Sequence, residues 1–169
     1  LVSGPVALTA PQGVEVIPIT TARDMFDAMS ENQDWADYVI MSAAVADYRP
    51  QDVAEEKIKK SDGDLELRLV RNPDILAHLG QHKKPGQLIC GFAMETSDLD
   101  KNAKEKLKKK NCDLLIGNHL FTPGAGFQGD TNVVSVLTVN SLVHWPKQSK
   151  SELGYNILEA LLQLEKESE

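Results

Sequence analysis

Residues 37–50 read DYVIMSAAVADYRP, and this stretch decides the fold of the chain. Near its start, Val39 and Ile40 are β-branched and apolar, which is typical of a buried parallel strand. Small residues follow, where another group could approach the backbone closely, and the charged Asp47 and Arg49 come directly after them. Open α/β sheets bind ligands outside the carboxyl ends of their strands. Because the basic segment 57–60 (KIKK) comes soon after and suits a phosphate, the pattern predicts a nucleotide site.

Length and composition bound the class of protein. The chain has 169 residues, 41% of them hydrophobic, which is enough for one domain over residues 1–169 with a sizeable core. The formal net charge of -7 argues against a general affinity for nucleic acid or anionic membranes. Apolar runs are far shorter than a membrane span and no basic, apolar leader precedes the first strand, so we expect a cytoplasmic protein. Cys90 and Cys112 lie in apolar strand-like runs, which favours two reduced, buried thiols over a disulfide or metal pair.

Hydrophobic periodicity predicts alternating strands and helices. Thr21, Asn72 and Ser97 are predicted helix caps, and Pro73 suits the first position of the second helix. The order of elements predicts an α/β, Rossmann-like three-layer fold, whose sheet is mostly parallel with an antiparallel edge. Strands are predicted at residues 14–17, 37–40, 87–93, 112–116, 133–139 and 141–145, and helices at 22–31, 73–79, 98–111 and 151–165.

An antiparallel hairpin is predicted between the central strand and the second helix. Residues 57–59 and 65–69 both alternate between polar and apolar side chains, and Asp62-Gly63 between them is a hairpin signal. A hairpin does not belong in a wound parallel sheet, so we expect it to project as a β-hairpin arm.

Two further expectations concern packing. Trp35 is predicted to be a packing residue rather than a ligand platform, because single aromatic side chains usually fill cores. In the last helix, helical spacing predicts that five apolar side chains face inward: Ile157, Leu158, Leu161, Leu162 and Leu164.

Five motifs occur in an order that resembles one family. They are SAAVADY at residues 42–48, EKIKK at 56–60, NPDI at 72–75, GFAMET at 91–96 and GF at 126–127. The family is bacterial phosphopantothenoylcysteine synthetase, usually the carboxyl-terminal half of a bifunctional coenzyme A biosynthesis flavoprotein. The resemblance implies a homodimeric ligase that uses CTP and Mg²⁺ to join 4′-phosphopantothenate to L-cysteine. The reaction passes through an acyl-cytidylate and releases pyrophosphate and then CMP. In longer members a flavin-dependent decarboxylase domain is the expected neighbour.

The sequence departs from the family pattern at its start. Family members open with a strand and a Ser-Asn-x-Ser-Ser-Gly-x-Met-Gly loop, whose asparagine is implicated in handling the acyl-cytidylate. That loop does not occur before Leu1. The resemblance therefore covers the nucleotide half of the site.

The resemblance also implies the site residues. Asp47 is expected at the ribose or at the metal–triphosphate group, and Lys57 is expected to be the catalytic lysine, reaching phosphate and intermediate from the arm. Phosphoryl-type transfer relies mostly on positioning and electrostatics, so no protein nucleophile is expected. The remaining expected nucleotide-binding residues are Met41, Ser42, Ala43, Pro73, Asp74, Ile75, Leu76, Phe92, Lys106 and Lys110.

Most of these residues also have a plainer interpretation. Lys57 could be a solvated hairpin charge and Phe92 a core aromatic. Lys106 and Lys110 share a helix face through their i, i+4 spacing, but lysines also collect at helix carboxyl ends to complement the dipole. The Gly-rich loop around Gly126-Phe127 could close over the nucleotide or simply connect two strands.

Other functions stay open at this point. One is the ATP-dependent form of the same ligase, since base choice depends on backbone geometry. Another is a Rossmann-like nucleotide-binding module or an inactive dimer scaffold without ligase activity. A Gly-x-Gly-x-x-Gly motif after the first strand would favour the module, and none occurs at that position.

Overall fold

The computed structural model of the chain describes residues 1–60, 63–95, 99–119 and 129–168. Several predicted features lie outside these residues: Asp62 of the hairpin turn, Thr96 of the GFAMET motif, the Ser97 cap and the Gly126-Phe127 loop. Within the described part, no helix is both long and apolar enough to span a bilayer. In chain order the elements are β1 (Val2–Ser3), β2 (Ile17–Pro18), α1 (Ala22–Asn32), β3 (Tyr38–Met41), β4 (Tyr48–Pro50), β5 (Leu69–Arg71), α2 (Ile75–Gln81), β6 (Leu88–Glu95), α3 (Leu99–Lys110), β7 (Leu114–His119), β8 (Thr131–Leu137), β9 (Leu142–Ser149) and α4 (Lys150–Ser168).

The chain divides into two compact units. Unit 1 comprises Leu1–Met29 and Ala44–Ile75, and unit 2 comprises Ser30–Ala43 and Leu76–Glu169. A single domain over the whole chain, as the sequence predicts, stays a prediction.

Unit 2 contains a five-stranded sheet in the order β3-β6-β7-β8-β9. β3, β6 and β7 are parallel, whereas β8 and β9 are antiparallel to their neighbours. The antiparallel pairing of β8 with β9 follows from the tight connection between them, in which the Thr138 hydroxyl accepts the backbone N–H groups of Asn140 and Ser141. The predicted α/β fold with a mostly parallel sheet and an antiparallel edge is confirmed.

One core cluster of unit 2 lies between this sheet and α4. Apolar side chains of the strands pack against Leu153, Ile157 and Leu161, which recur at helical spacing on α4. Cys90 and Cys112 are buried thiols that form no disulfide, as the sequence predicts. The strand residues of the cluster are Leu88, Cys90, Leu114, Ile116, Val134 and Val136.

Unit 1 has two small sheets. β1 and β2 are a parallel pair, and β4 and β5 an antiparallel pair. The predicted Thr21 cap of α1 is confirmed: Asp24 N–H donates to the Thr21 hydroxyl at 3.1 Å, and Thr21 N–H donates back to the Asp24 carboxylate at 2.8 Å. This reciprocal pair is a capping box with Asp in the place of Glu.

The hairpin prediction is right about an antiparallel pair and wrong about its strands. Residues 57–59 and 65–68 are not in strands; the pair is β4 with β5, at the two ends of the segment between them. An alternation of polar and apolar residues does not stabilise a strand unless its apolar face is covered. Ile58, Leu65 and Leu67 are all exposed.

Three packing predictions are also wrong. Trp35 is 75% exposed. It ends a short 3-10 helix (Gln33–Trp35), and the buried residue of that helix is Gln33. The Gln33 side chain donates to the Leu79 carbonyl at 2.7 Å, so the buried amide has a hydrogen-bond partner. On α4, Leu158 and Leu162 lie off the buried stripe and are each 46% exposed.

Candidate functional site

The predicted site residues fall in both units. Asp47, Lys57, Pro73, Asp74 and Ile75 belong to unit 1. The other seven belong to unit 2: Met41, Ser42, Ala43, Leu76, Phe92, Lys106 and Lys110.

In unit 2 the carboxyl end of β3 lies beside the middle of β6. Met41, the last residue of β3, is in register with Gly91. The half-buried Leu76 side chain lies over Gly91, because a Cβ built there would be 2.6 Å from Leu76 Cδ2. A glycine inside a strand often marks such a close approach. The structure therefore brings Leu76 to Gly91, which pairs with Met41, while Phe92 points to the opposite face of the sheet and Ser42 and Ala43 follow β3 as exposed residues.

Phe92 packs against the core cluster of unit 2. Its side chain is half-buried among the strand and α4 residues, which agrees with the interpretation of Phe92 as a core aromatic. A contact between Phe92 and a nucleotide base stays a prediction.

Lys106 and Lys110 are both half-buried on α3, whereas Lys104, Lys108 and Lys109 are exposed. The shared face follows from the i, i+4 spacing. Dipole complementarity alone does not distinguish these two lysines from their neighbours, but partial burial does.

The end of α3 is held against α2 by a close backbone approach. A Cβ at Gly80 would lie 1.8 Å from the Lys110 carbonyl oxygen, so only glycine fits there. Asn111 donates its side-chain amide to the Gly80 carbonyl at 2.8 Å and has a φ of 50°, in the left-handed region that ends helices. This contact was not predicted from the sequence, although an Asn directly after a lysine-rich helix end is a known signal for such an ending.

In unit 1 the Asp47 loop is tied to the segment that leads into α2. Asn72 N–H donates to the Asp47 carbonyl and the Asn72 side chain donates to the Ala46 carbonyl, both at 2.8 Å. Arg49 donates to the Arg71 carbonyl at 2.7 Å and to the Asn72 side-chain oxygen at 3.1 Å. The Asp47 side chain is exposed, so its carboxylate is accessible to a ligand or metal.

The start of α2 differs from the prediction. The helix begins at Ile75, so Pro73 and Asp74 precede it, and Ile75 itself is buried. Asn72 was expected to cap the helix, but its side chain contacts Ala46 and Arg49. The shift has a physical cause: tertiary hydrogen bonds to the Asp47 loop compete with local capping for the same amide.

Lys57 lies in the segment between β4 and β5 and is exposed, as are Lys59 and Lys60. The structure does not distinguish these lysines by burial, so the catalytic role of Lys57 stays a prediction.

Two pKa shifts in unit 2 bear on possible nucleophiles and bases. Burial, followed by the neighbouring Cys112, raises the pKa of the Cys90 thiol far above its usual range. A thiol in this state is inert, because the thiolate is the reactive form. Burial, followed by the adjacent His82, lowers the pKa of His78.

Asp47 suits a magnesium ion that arrives with a triphosphate. Mg²⁺ prefers oxygen ligands and is usually held by one or two carboxylates together with substrate phosphates and water. Among the described residues, no three His, Cys, Asp or Glu side chains gather into a site of their own. Asp47 is one of several exposed carboxylates in unit 1, so its role as a magnesium ligand stays a prediction.

A cavity of 780 Å³ lies at the end of the five-stranded sheet where β6 and β7 begin. Leu88 and Leu114, the first residues of β6 and β7, form part of its wall together with Trp145 and Leu164. It is therefore at the opposite end of these strands from Met41, Ser42 and Ala43, while its lining residues Lys108 and Asn111 are chain neighbours of Lys110.

These features define an α/β protein with a central, partly parallel sheet. The chain belongs to the family of the DNA/pantothenate metabolism flavoprotein C-terminal domain, whose model matches residues 1–164. It is 42% identical to the coenzyme A biosynthesis bifunctional protein CoaBC of Bacillus subtilis, covering 99% of this chain and 42% of that protein. This chain thus spans less than half the length of that relative.

Solved structures agree with this assignment. The crystal structure of the C-terminal domain of a CoaBC protein is 34% identical with a TM-score of 0.80, covering 98% of this chain and 75% of that one. A mutant of Cab2 in complex with phosphopantothenate-cysteine is 20% identical with a TM-score of 0.69, covering 90% of this chain and 53% of that one. At this identity the Cab2 structure supports the fold alone.

Proposed function

We propose that this chain carries the phosphopantothenate–cysteine ligase activity of coenzyme A biosynthesis and uses CTP. The observation that carries the proposal is the similarity of nearly the whole chain to a coenzyme A biosynthesis protein, at 42% identity. The ligand named for the Cab2 complex, phosphopantothenate-cysteine, is the product that such a ligase would release.

The reaction has two steps. The carboxylate of 4′-phosphopantothenate attacks the α-phosphorus of CTP, and pyrophosphate leaves as the acyl-cytidylate forms. The amine of L-cysteine then attacks the acyl carbon, CMP leaves, and an amide bond results. Neither step needs a nucleophile from the protein, which agrees with the buried, inert Cys90 thiol.

The residues of this chain would act by binding and by charge. The Asp47 carboxylate would hold the ribose or a magnesium ion on the triphosphate, and Mg²⁺ would neutralise charge that develops on the phosphates. Lys57 would offset charge on the transferred phosphate, and Lys106 with Lys110 would bind the nucleotide at α3. Phe92 would supply an apolar surface beside the base.

The ATP-dependent form of the same ligase is the alternative from the same class. A nucleotide-binding module or dimer scaffold without ligase activity is the alternative from another class. The nucleotide that the chain prefers separates the CTP-dependent ligase from the nucleotide-binding alternatives. A module built for a dinucleotide would favour NAD, and the ATP form would favour ATP.

Thermal unfolding with CTP, ATP or NAD, each with Mg²⁺, tests the proposal. A ligand that binds only the folded state stabilises it by about 2.7 kcal/mol at a hundredfold excess over its dissociation constant. CTP is expected to raise the unfolding temperature most. Equal shifts with CTP and ATP would refute the selectivity, and a shift with NAD alone would support the module.

We also propose that the chain forms a homodimer in which the segment between β4 and β5 takes part. Its exposed apolar residues support this: Ile58, Leu65 and Leu67 are 58%, 64% and 60% exposed. A second copy that covers them would remove this apolar surface from water. Sedimentation at micromolar concentration is expected to give a dimer that Leu67→Glu weakens, and a strictly monomeric wild type would contradict the proposal.

A further inference from the structure

We propose that Asn72 and Arg49 are positioning residues for the nucleotide site: together they fix the Ala46–Asp47 backbone and thereby aim the Asp47 carboxylate at a nucleoside triphosphate. This inference rests on the proposed function. It concerns two residues of unit 1 that were not among the expected binding residues.

Asn72 binds two consecutive carbonyl groups. Its backbone N–H donates to Asp47 O and its side-chain Nδ2 donates to Ala46 O, each at 2.8 Å. Two successive peptide planes are thus fixed by one residue, and the direction in which the Asp47 side chain leaves the backbone is fixed with them. Binding groups held in this way by a supporting layer of hydrogen bonds keep the geometry that a ligand requires.

Arg49 determines the orientation of the Asn72 amide. Arg49 Nη1 donates to Asn72 Oδ1 at 3.1 Å and to Arg71 O at 2.7 Å. A guanidinium group can only donate and a carbonyl can only accept, so a single orientation of the amide satisfies both neighbours. In that orientation Nδ2 points to Ala46. Arg49 therefore acts on the loop through Asn72 and needs no contact with the nucleotide.

A purely structural role makes a different prediction. The three side-chain hydrogen bonds are all exposed to solvent, where each adds little net stability because water can replace it. If they serve only the fold, removing them changes stability slightly and nucleotide affinity not at all. If they position Asp47, affinity falls while the fold stays intact.

Titration calorimetry of the chain with CTP at saturating Mg²⁺ separates these roles. Asn72→Ala is expected to raise the dissociation constant about tenfold, in line with the net worth of two hydrogen bonds. Arg49→Lys keeps the positive charge but loses the planar fork, so it is expected to raise the constant as well. Matched controls are Asn140→Ala, in the β8–β9 connection, and Arg68→Lys, an exposed arginine before β5; both should bind CTP as the wild type does.

Two further measurements keep the outcome decisive. Unfolding temperatures without nucleotide should differ little between the variants and the wild type, as for ordinary surface substitutions. In turnover assays the KM for CTP should rise with kcat nearly unchanged, because a positioning contact acts equally on the bound substrate and the transition state.

Several results would overturn the inference. Wild-type affinity in Asn72→Ala and Arg49→Lys would show that the hydrogen bonds serve only the fold, while leaving the proposed function intact. If Asn72→Ala does not fold, Arg49→Lys decides alone, and wild-type affinity in that variant rejects the proposal. A wild-type chain that binds CTP no better than NAD would reject the proposed function together with this inference.

Discussion

The five-stranded sheet of unit 2 and the Asp47 loop of unit 1 are stabilised by different physical effects. The sheet is covered by apolar side chains, and Ile89, Leu114 and Leu137 are fully buried. The loop is exposed and is held by a few polar contacts from Asn72 and Arg49. Burial of apolar surface contributes most of the free energy of folding, whereas exposed hydrogen bonds contribute little and mainly select a conformation. Stability and ligand geometry are therefore expected to respond to different substitutions.

The largest effect is expected in the core of unit 2. Leu161→Ala removes a fully buried side chain between α4 and the sheet, and is expected to lower the free energy of unfolding by about 2–5 kcal/mol. Leu162→Ala, one residue along, is the control and should change it by less than about 0.5 kcal/mol, because that side chain is half exposed. Urea denaturation of both variants measures the difference. Similar losses in the two would show that the buried stripe of α4 has been misassigned.

Lys57 provides the opposite case, a large functional effect with little change in stability. Lys57→Gln removes a charge expected to face the transferred phosphate, which should lower the turnover rate about a hundredfold. CTP affinity should fall much less, since Mg²⁺, Asp47 and backbone amides still hold the nucleotide.

The measurement is release of pyrophosphate and CMP with phosphopantothenate and cysteine, in the full-length protein that contains this chain. Lys60→Gln, a neighbouring exposed lysine, is the control. If both variants turn over equally fast, Lys57 is only a solvated charge.

Two glycines in unit 2 should respond to alanine with opposite signs. Gly80→Ala would place a Cβ 1.8 Å from the Lys110 carbonyl oxygen, and since backbone must then move, a loss of about 1–3 kcal/mol is expected. Gly154→Ala, in α4 with nothing within 4 Å of its Cβ, should stabilise the fold by about 0.5–1 kcal/mol through helix propensity. Thermal unfolding distinguishes the two, and a neutral Gly80→Ala would refute the close approach of α2 and α3.

The same contrast explains how much the sequence revealed. The strands of unit 2 and the helices α1 and α4 were predictable, because apolar periodicity records directly which side chains are buried. The Thr21 cap was predictable because its partner, Asp24, is three residues away in the chain. These features depend on local patterns that survive without knowledge of the rest of the fold.

The Asp47 loop and its surroundings were less predictable for the same physical reason. Asn72 looked like a local cap, but its partners Ala46 and Asp47 are distant in sequence, and nothing in a single sequence records that pairing. The hairpin was misplaced because alternation predicts a strand only where something covers its apolar face. The requirement for glycine at position 80 was not predictable, because the oxygen that excludes a Cβ there belongs to Lys110 on another helix.

The smallest expected effect concerns the first turns of two helices: α1, which begins in unit 1, and α4, which lies in unit 2. The backbone N–H of Thr21, with that of Thr20, lowers the pKa of Asp24 at the start of α1. The backbone N–H of Ser149 likewise lowers the pKa of Glu152 at the start of α4. A carboxyl whose folded pKa lies below its unfolded value binds fewer protons in the folded state. Its contribution to stability is therefore complete above the unfolded pKa and disappears as the pH falls through the folded pKa.

Asp24→Asn and Glu152→Gln should each reduce the free energy of unfolding near neutral pH, and the loss should vanish under acid conditions, where the wild-type carboxyls are protonated as well. Thr21→Ala removes the other half of the α1 capping box and should cost about 1 kcal/mol. Because a threonine hydroxyl does not titrate, a larger part of that cost should persist in acid. Denaturant titrations of the three variants at several pH values measure these differences. A loss for Asp24→Asn that stays constant from neutral pH down to acid would show that the Thr21–Asp24 pair stabilises α1 through the shape of the side chain and not through its charge.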